Sequence, residues 1–332
     1  MASLNCVLRI TLMLSEYVDL CRLLGSWPDW VQGPGGNCSL KEGNRLLVKR
    51  SGALIADTTD EKGWVYCDIA QIQTALKEGR EDITSTVLEG SGKPSIEAFL
   101  HTFPSRMIVH LHPTPLMGYL CSENPEPYSG IPNRRVGYHK PGIPLTQALE
   151  AVYDPSIPLY FLKNHGLILM AETTDAILAY MTQIQADLFD KSQFSTNIQL
   201  TAQLYRGIKD LSGQSKLVRP HLQVNSRSQE RVFFPFSPDI AVFLQKGSVV
   251  IENPHKGVQG ALQEYMKAYN TIPSVISTTN TIYTVGNSME ACQSIYEILM
   301  SYYTIPLRST MLTEGEYDEL VHWDKGKARK GM

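Results

Sequence analysis

"MIVHLHPTPL", residues 107–116, sets an aliphatic run ahead of two histidines one residue apart, with a proline directly after the second. Side chains alternate along a strand, so His110 and His112 point the same way, about 7 Å apart along the chain. That spacing suits two ligands of one metal ion, and it suits two structural histidines on one strand face equally well. Pro113 has no N–H to continue a ladder, so the strand is expected to end there.

The surrounding chain has 332 residues, 43% of them hydrophobic and 19% charged, enough for one large domain or two of moderate size with real cores. A formal net charge of −3 gives no electrostatic reason for a nucleic-acid or anionic-membrane partner, and neither is expected. Cys6, Cys21, Cys38, Cys67, Cys121 and Cys292 are dispersed with no CxxC pair. They read as a reduced, cytoplasmic set with no cysteine zinc site. The start, "MASLNCVLRITLML" (1–14), is apolar but short and interrupted by Arg9, with no small-residue cleavage pattern after it. It reads as a strand or helix lead-in rather than a signal peptide. No stretch reaches membrane-spanning length.

Periodicity and punctuation organise the rest. "LSEYVDLCRLLG" (14–25) predicts a helix capped by Ser15 and stopped by Gly25. "VQGPGGNCSLK" (31–41) is dense in glycine. "RLLVKRSGALIAD" (45–57) predicts strands around a Ser51-Gly52 turn, and "GWVYCDI" (63–69) another strand. "PSIEAFLHTF" (94–103) reads as helical, with Pro94 near its first turn. "SIPLYFLKNHGLILM" (156–170) predicts two strands hinged at Asn164-His165-Gly166. A helix over 175–189 follows, capped by Thr173 or Thr174. Residues 190–230 read as a polar, partly helical connection. Beyond it, "VFFPFSPDIAVFLQ" and "SVVIE" predict strands, 258–270 a helix, "SVISTTNTIYTVG" two short strands, and 288–303 a helix capped by Asn287 or Ser288. The basic tail "HWDKGKARKGM" is expected to fray. There are no internal repeats. A boundary near residue 205 separates an expected catalytic domain, 1–205, from a small α/β accessory domain, 206–332.

Three features of the first part carry chemistry. His165, in "NHGL", adds a third imidazole to His110 and His112, and three histidines around an open position are a common zinc site. Gly166 is expected to let the backbone turn sharply and aim that imidazole. Glu97, in "PSIEAFLH", lies just ahead of the His-x-His strand and could ligate an ion or act as a general base. "GPGGNCSLK" with "KRSG" offers neutral donors from Asn37, Ser39 and Ser51 and charge from Lys41 and Lys49. That set could cradle a phosphate, or could form a pair of tight turns. It fits neither a nucleotide P-loop nor the dinucleotide fingerprint.

Taken in order, "QGPGGNCSLK", "VKRSG", "PSIEAFLHTFPSRMIVHLHP" and "LKNHGLIL" resemble the class II aldolase/adducin family over roughly residues 14–190. The resemblance implies a layered α/β fold, with a central, mostly antiparallel sheet flanked by helices. It implies metal ligation by His110, His112 and His165, with Zn2+ the expected ion and Mn2+ another possibility, and it puts the acid/base carboxylate on Glu97. The phosphate of a sugar phosphate would meet Gly36, Asn37, Ser51, Gly52 and Ser95. A tyrosine, Tyr128 or Tyr138, would serve as general acid, often across a subunit boundary. The implied activity is that of a lyase cleaving or forming a carbon–carbon bond in a ketose phosphate through a metal-stabilised enediolate. A 4-epimerase, decarboxylase or dehydratase on the same site, or a non-catalytic adducin-like binding protein, are the alternatives. By the same analogy the protein is a homo-oligomer, a tetramer. The spacing between Glu97 and His110 is shorter than in the fuculose-phosphate members. It resembles the aldolase part of bacterial bifunctional rhamnulose-phosphate aldolase/dehydrogenases, as do "SPDIAVFL" and "TIYTVGNSMEAC"; no dehydrogenase segment is expected. Ser95-Ile96 stands where fuculose-phosphate members have two serines, so one phosphate-binding hydroxyl is missing.

Overall fold

In the computed structural model, which describes residues 2–189, 196–222, 232–245, 247–253, 257–305 and 311–322, the apolar start and the segment from Leu14 form one helix, α1 (Ala2–Gly25). Residues 2–14 contain no glycine or proline to break it, so Ser15 lies inside the helix rather than capping it. Gly25 does end it. A Cβ there would sit 2.4 Å from Ala56 Cα, so only glycine lets the helix end approach that turn.

The chain divides into two units, Met1–Ile198 and Gln199–Met332. The first is built on an eight-stranded sheet of β1 (Asn37–Glu42), β2 (Arg45–Lys49), β3 (Trp64–Asp68), β4 (Val87–Gly90), β5 (Met107–Leu111), β6 (Asn133–Val136), β7 (Leu159–Leu162) and β8 (Gly166–Ala171). Their order across the sheet is β4-β3-β2-β1-β5-β8-β7-β6, antiparallel throughout except for the β6–β7 pair. Around it run α2 (Ile69–Glu78), the short α3 (Met117–Cys121), α4 (Ile143–Glu150) and α5 (Thr174–Leu188). This is the layered, mostly antiparallel α/β architecture expected from the sequence. Thr173 caps α5, its hydroxyl accepting from Ala176 N.

One sheet face carries two apolar clusters. Leu46, Val48 and Val65 pack with Ile72 and Leu76 of α2 and with Phe99. Ile108, Tyr160 and Ile168 pack with Leu145 and Leu149 of α4 and with Leu100. Each such side chain stabilises the fold by about 1.5–3 kcal/mol. Phe99 and Leu100 belong to the segment expected as helical, which winds as a 3-10 helix over Ile96–Thr102. Its i→i+3 winding starts with Ala98 N donating to Ser95 O, and both ends of this seven-residue element are tied to β1, through Ser95 and His101, which leaves it little length to wind as an α-helix. The opposite face is covered partly by α1, where the Tyr17 hydroxyl donates to the Cys38 carbonyl.

In the second unit α6 (Ile198–Ser212) precedes a four-stranded sheet of order β10-β11-β12-β9, formed by β9 (Leu217–Leu222), β10 (Val249–Val250), β11 (Val275–Ser277) and β12 (Thr281–Gly286). Helices α7 (Val258–Tyr269), α8 (Met289–Thr304) and α9 (Glu314–His322) complete it, with Ser288 capping α8. The boundary expected near residue 205 falls inside α6. Within the stretch expected as a strand at 232–245, Ile240–Leu244 form a π-helical turn. The reason is spacing: Ile240, Phe243 and Leu244 recur at helical intervals and bury together against Ile295 and Leu299 of α8. Residues 190–195, 223–231 and most of the basic tail lie outside the described residues. Among the described residues no helix is long and apolar enough to cross a membrane.

Candidate metal centre

Strand register sets up the site. Asn37 on β1 lies directly opposite His110 on β5, which in turn faces Ile168 on β8, and cross-strand partners share a sheet face. The 3-10 helix lies on this face, held by three alternate residues of β1. Asn37 Nδ2 donates to Ser95 Oγ (2.9 Å) and to Glu97 Oε2 (3.1 Å). A 2.8 Å hydrogen bond joins Ser39 Oγ and His101 Nδ1. Lys41 Nζ donates to the carbonyls of Phe103 and Ser105, both at 2.6 Å.

Glu97 thereby projects over His110, its Oε1 lying 3.4 Å from His110 Nε2 and 3.3 Å from His165 Nε2. His110 Nδ1 donates to the Leu167 carbonyl at 3.0 Å, which fixes its tautomer and turns the Nε2 lone pair inward. The strand ends at Leu111, and the His112 main chain then donates to Trp30 O, so the second imidazole leans toward the first. Their Nε2 atoms stand 2.9 Å apart. Ring centroids of His110, His112 and His165 form a near-equilateral triangle of 4.7, 4.8 and 5.0 Å.

His165 arrives on the β7–β8 turn. The left-handed residue there is Asn164 (φ 55°) and not Gly166, correcting the role expected for that glycine. Gly166 is required by space instead: a Cβ would lie 2.2 Å from Leu111 O and 2.9 Å from His112 Cδ2. Gly36 does have positive φ (69°), and a Cβ on it would come within 3.0 Å of His110 O.

The four side chains offer ligand atoms that all lie within 4.8 Å of one another, mostly buried. Ligands on one tetrahedral zinc shell would be separated by about 3.3 Å, given Zn–N distances near 2.0–2.1 Å. The observed 2.9, 3.3 and 3.4 Å separations fit such a shell. Turned toward one another beside Glu97, the Nε2 atoms of His110 and His112 offer two nitrogen donors to a cation placed between them. The donor set therefore fits a divalent metal. Electrostatics agree. Burial would raise the Glu97 carboxyl, but His110 and His165 outweigh it and hold the group well below the usual carboxylate range. Burial pushes the His112 imidazole down to about 3, with His110 and His165 adding to the effect, so it is a neutral ligand-ready ring.

The other residues singled out in the sequence divide into two groups. Ser95 accepts from Asn37 and from Glu97 N, so Asn37 and Ser95 both steady the carboxylate. Ser51 and Gly52 form an exposed turn, left-handed at Gly52 (φ 74°) with open space around it. Lys49 is buried, and its ammonium donates to the carbonyls of Pro34 and Ala53, lacing the glycine-rich loop to that turn. Ser39 and Lys41 are engaged elsewhere, in pinning the 3-10 helix. Burial pushes the Lys41 ammonium down to about 7. The Tyr128 hydroxyl donates to Asp187 Oδ2 at 2.9 Å, whereas Tyr138 is 62% exposed. Sequence reasoning missed His101 as a partner for Ser39, and the carbonyls of Leu167 and Trp30 that orient the two strand histidines. Backbone acceptors leave no trace in residue identity.

Comparison with known proteins adds a family. A family model described as Class II Aldolase and Adducin N-terminal domain matches residues 15–186, just over half of the chain. No curated protein matches. Among solved structures, the N-terminal class II aldolase domain of a conserved protein from Thermoplasma acidophilum is 25% identical, covers 48% of this chain and 83% of its own, and has a TM-score of 0.43. YgbL from Klebsiella pneumoniae, described as a putative aldolase/epimerase/decarboxylase, is 20% identical over 53% of this chain and 86% of its own (TM-score 0.43). An L-fuculose 1-phosphate aldolase is 19% identical over 60% and 87% (TM-score 0.42).

Proposed function

Since this chain belongs to the class II aldolase and adducin family, we propose that it is a divalent-metal-dependent lyase that cleaves or forms a carbon–carbon bond in a ketose phosphate. The observation that carries the reading is the convergence of Glu97 with His110, His112 and His165. The three imidazoles hold the ion, for which Zn2+ suits three nitrogens and an adjacent carboxylate, with Mn2+ the alternative. When bound, the ion supplies Lewis-acid charge that offsets negative charge developing on substrate oxygens.

Glu97 moves the proton at the reacting carbon. It is ionised at neutral pH and so accepts a proton first, while Asn37 holds Oε2 and leaves Oε1 on the imidazole side. The phosphate end of the substrate meets the glycine-rich loop at Gly36 and the open Ser51-Gly52 turn, with Asn37 and Ser95 behind them. Ser39 and Lys41 are turned away from that end, toward His101 and toward the carbonyls of Phe103 and Ser105. Tyr138 is the better general acid of the two tyrosines, because its exposure leaves it able to reach a neighbouring copy in a tetramer. Tyr128 is held by Asp187, and burial, with that hydrogen bond adding to it, raises its hydroxyl above the ordinary tyrosine range. The protein then works as a cytoplasmic enzyme of carbohydrate metabolism.

The test joins elemental analysis to product analysis. The purified protein should carry about one divalent ion per chain, and His110→Ala and His165→Ala should lose it. Incubation with ketose phosphates should yield two carbonyl fragments. Metal retained in both variants overturns the ligand set. A single rearranged product would indicate epimerase or dehydratase chemistry, and carbon dioxide release a decarboxylase. Metal binding without turnover of any ketose phosphate would leave an adducin-like binding role.

A further inference from the structure

The second unit contains a cavity of about 320 Å³ between the end of α6, the start of α8 and the loop after α7. Ligand cavities run from about 300 to 1,000 Å³, which makes this one the size of a small metabolite. Its wall is half polar. Lys216 is the one ionisable side chain lining it among the described residues. Its ammonium donates to Asn287 Oδ1 at 2.5 Å, which fixes the charge at one end. Amides and hydroxyls of Gln245, Asn270 and Thr271 face the same space, and Met266 and Ile295 form an apolar wall.

The backbone at this cavity is unusual. The described residues include three non-glycine positions with positive φ, and two of them, Gln245 and Asn270, line it. Asn270 ends α7 in the left-handed conformation that asparagine tolerates. Gln245 is different: at φ 62°, ψ −157° it occupies a region populated almost only by glycine. The surroundings hold it there, with the Tyr265 hydroxyl donating to Gln245 Oε1 at 2.9 Å and Gln245 Nε2 donating to Thr271 Oγ1 at 3.3 Å. Strain of this kind persists where the fold over-determines a side chain's position, and it concentrates at binding sites.

We infer that the C-terminal unit holds its own small-molecule site, shaped for a small polyhydroxylated anion whose phosphate or carboxylate meets Lys216 and whose hydroxyls meet Gln245, Asn270 and Thr271. This site lies wholly within the second unit and is independent of the metal cluster.

The probes are sn-glycerol 3-phosphate, glycerate and neutral glycerol, each added at millimolar concentration to the full chain. Binding is read by titration calorimetry and located by amide hydrogen exchange. One or both anions should bind saturably and slow exchange in peptides covering 212–216, 270–274 and 284–287; glycerol should not. The stronger anion identifies the head group. Lys216→Met should weaken binding at least about tenfold, the worth of a charge-assisted hydrogen bond, with cooperative unfolding retained. Thr271→Trp, which fills the space, should abolish binding. Both variants should leave metal content unchanged. Protection confined to peptides of the first unit, equal protection by glycerol, absence of saturable binding by either anion, or undiminished affinity in Lys216→Met would each overturn the inference. Should Thr271→Trp not fold, Lys216→Met decides alone.

Discussion

Asn37 and Glu97, sixty residues apart in sequence, are joined by a 3.1 Å hydrogen bond from the amide Nδ2 to the carboxylate Oε2. Because Asn37 sits opposite His110 in the sheet, that bond settles where the carboxylate lies relative to the imidazoles. Asn37→Ala is therefore expected to keep the metal but lower turnover about 10–100-fold, the usual cost of removing a group that orients a site. Asn37→Asp should do worse, since a second carboxylate beside Glu97 raises its pKa. Steady-state kinetics with metal analysis checks both, and wild-type turnover in Asn37→Ala would remove the orienting role.

Glu97→Gln preserves shape and the Asn37 contact while removing the basic oxygen. Metal content should remain near wild type, because the three imidazoles are intact, and turnover should fall about 10²–10⁴-fold. If metal leaves with the carboxylate, Glu97 is a ligand first and a base second.

Gly166→Ala forces a methyl group within 2.2 Å of the Leu111 carbonyl and 2.9 Å of His112. Backbone cannot yield as a flexible side chain can, so the variant should lose about 1–3 kcal/mol of stability or more. His112 would be displaced, and metal affinity should fall with it. Thermal unfolding and a competitive chelator titration measure the two effects, and an unchanged melting temperature would contradict the close packing.

His101 supplies a pH dependence. Burial, then the Lys41 and His110 charges, push its imidazole from the ordinary 6.5 down to about 3. Between those values the unfolded chain binds a proton that the folded chain refuses, so stability is fully present above pH 6.5 and is lost as pH falls toward 3. This one group contributes at most about 1.4 kcal/mol per pH unit in that window. His112 acts with the same sign, so the comparison is with His101→Gln, whose stability should fall less steeply between pH 6.5 and pH 4. Parallel profiles would show that His101 is not the group concerned.

Much of this was legible before any coordinates. The aliphatic run before His110, the turn at Asn164-His165-Gly166 and the cap candidates at 173–174 and 287–288 are local signals, and each expected element forms close to its expected place. The failures were local as well. Ser15 has the chemistry of an N-cap, but nothing upstream of it stops a helix, so α1 continues through. The 232–245 stretch is rich in strand-forming residues, yet its apolar positions serve a helical turn against α8.

The sequence by itself determined the inventory of the His/Glu cluster: two histidines two residues apart at a strand end, a third behind an asparagine turn, and a glutamate after a serine. Those are properties of spacing and side-chain type. Only the tertiary structure decided how the polar residues of β1 are employed. Asn37, Ser39 and Lys41 look alike as donors for a phosphate. In the folded chain all three reach the 3-10 helix or the residues just after it, so Ser39 meets His101, Lys41 caps two carbonyls and Asn37 holds the Glu97 carboxylate. Their partners lie about sixty positions further along the chain, on an element whose placement depends on the whole sheet. A hydrogen bond is set by where two groups meet, and no local pattern records that.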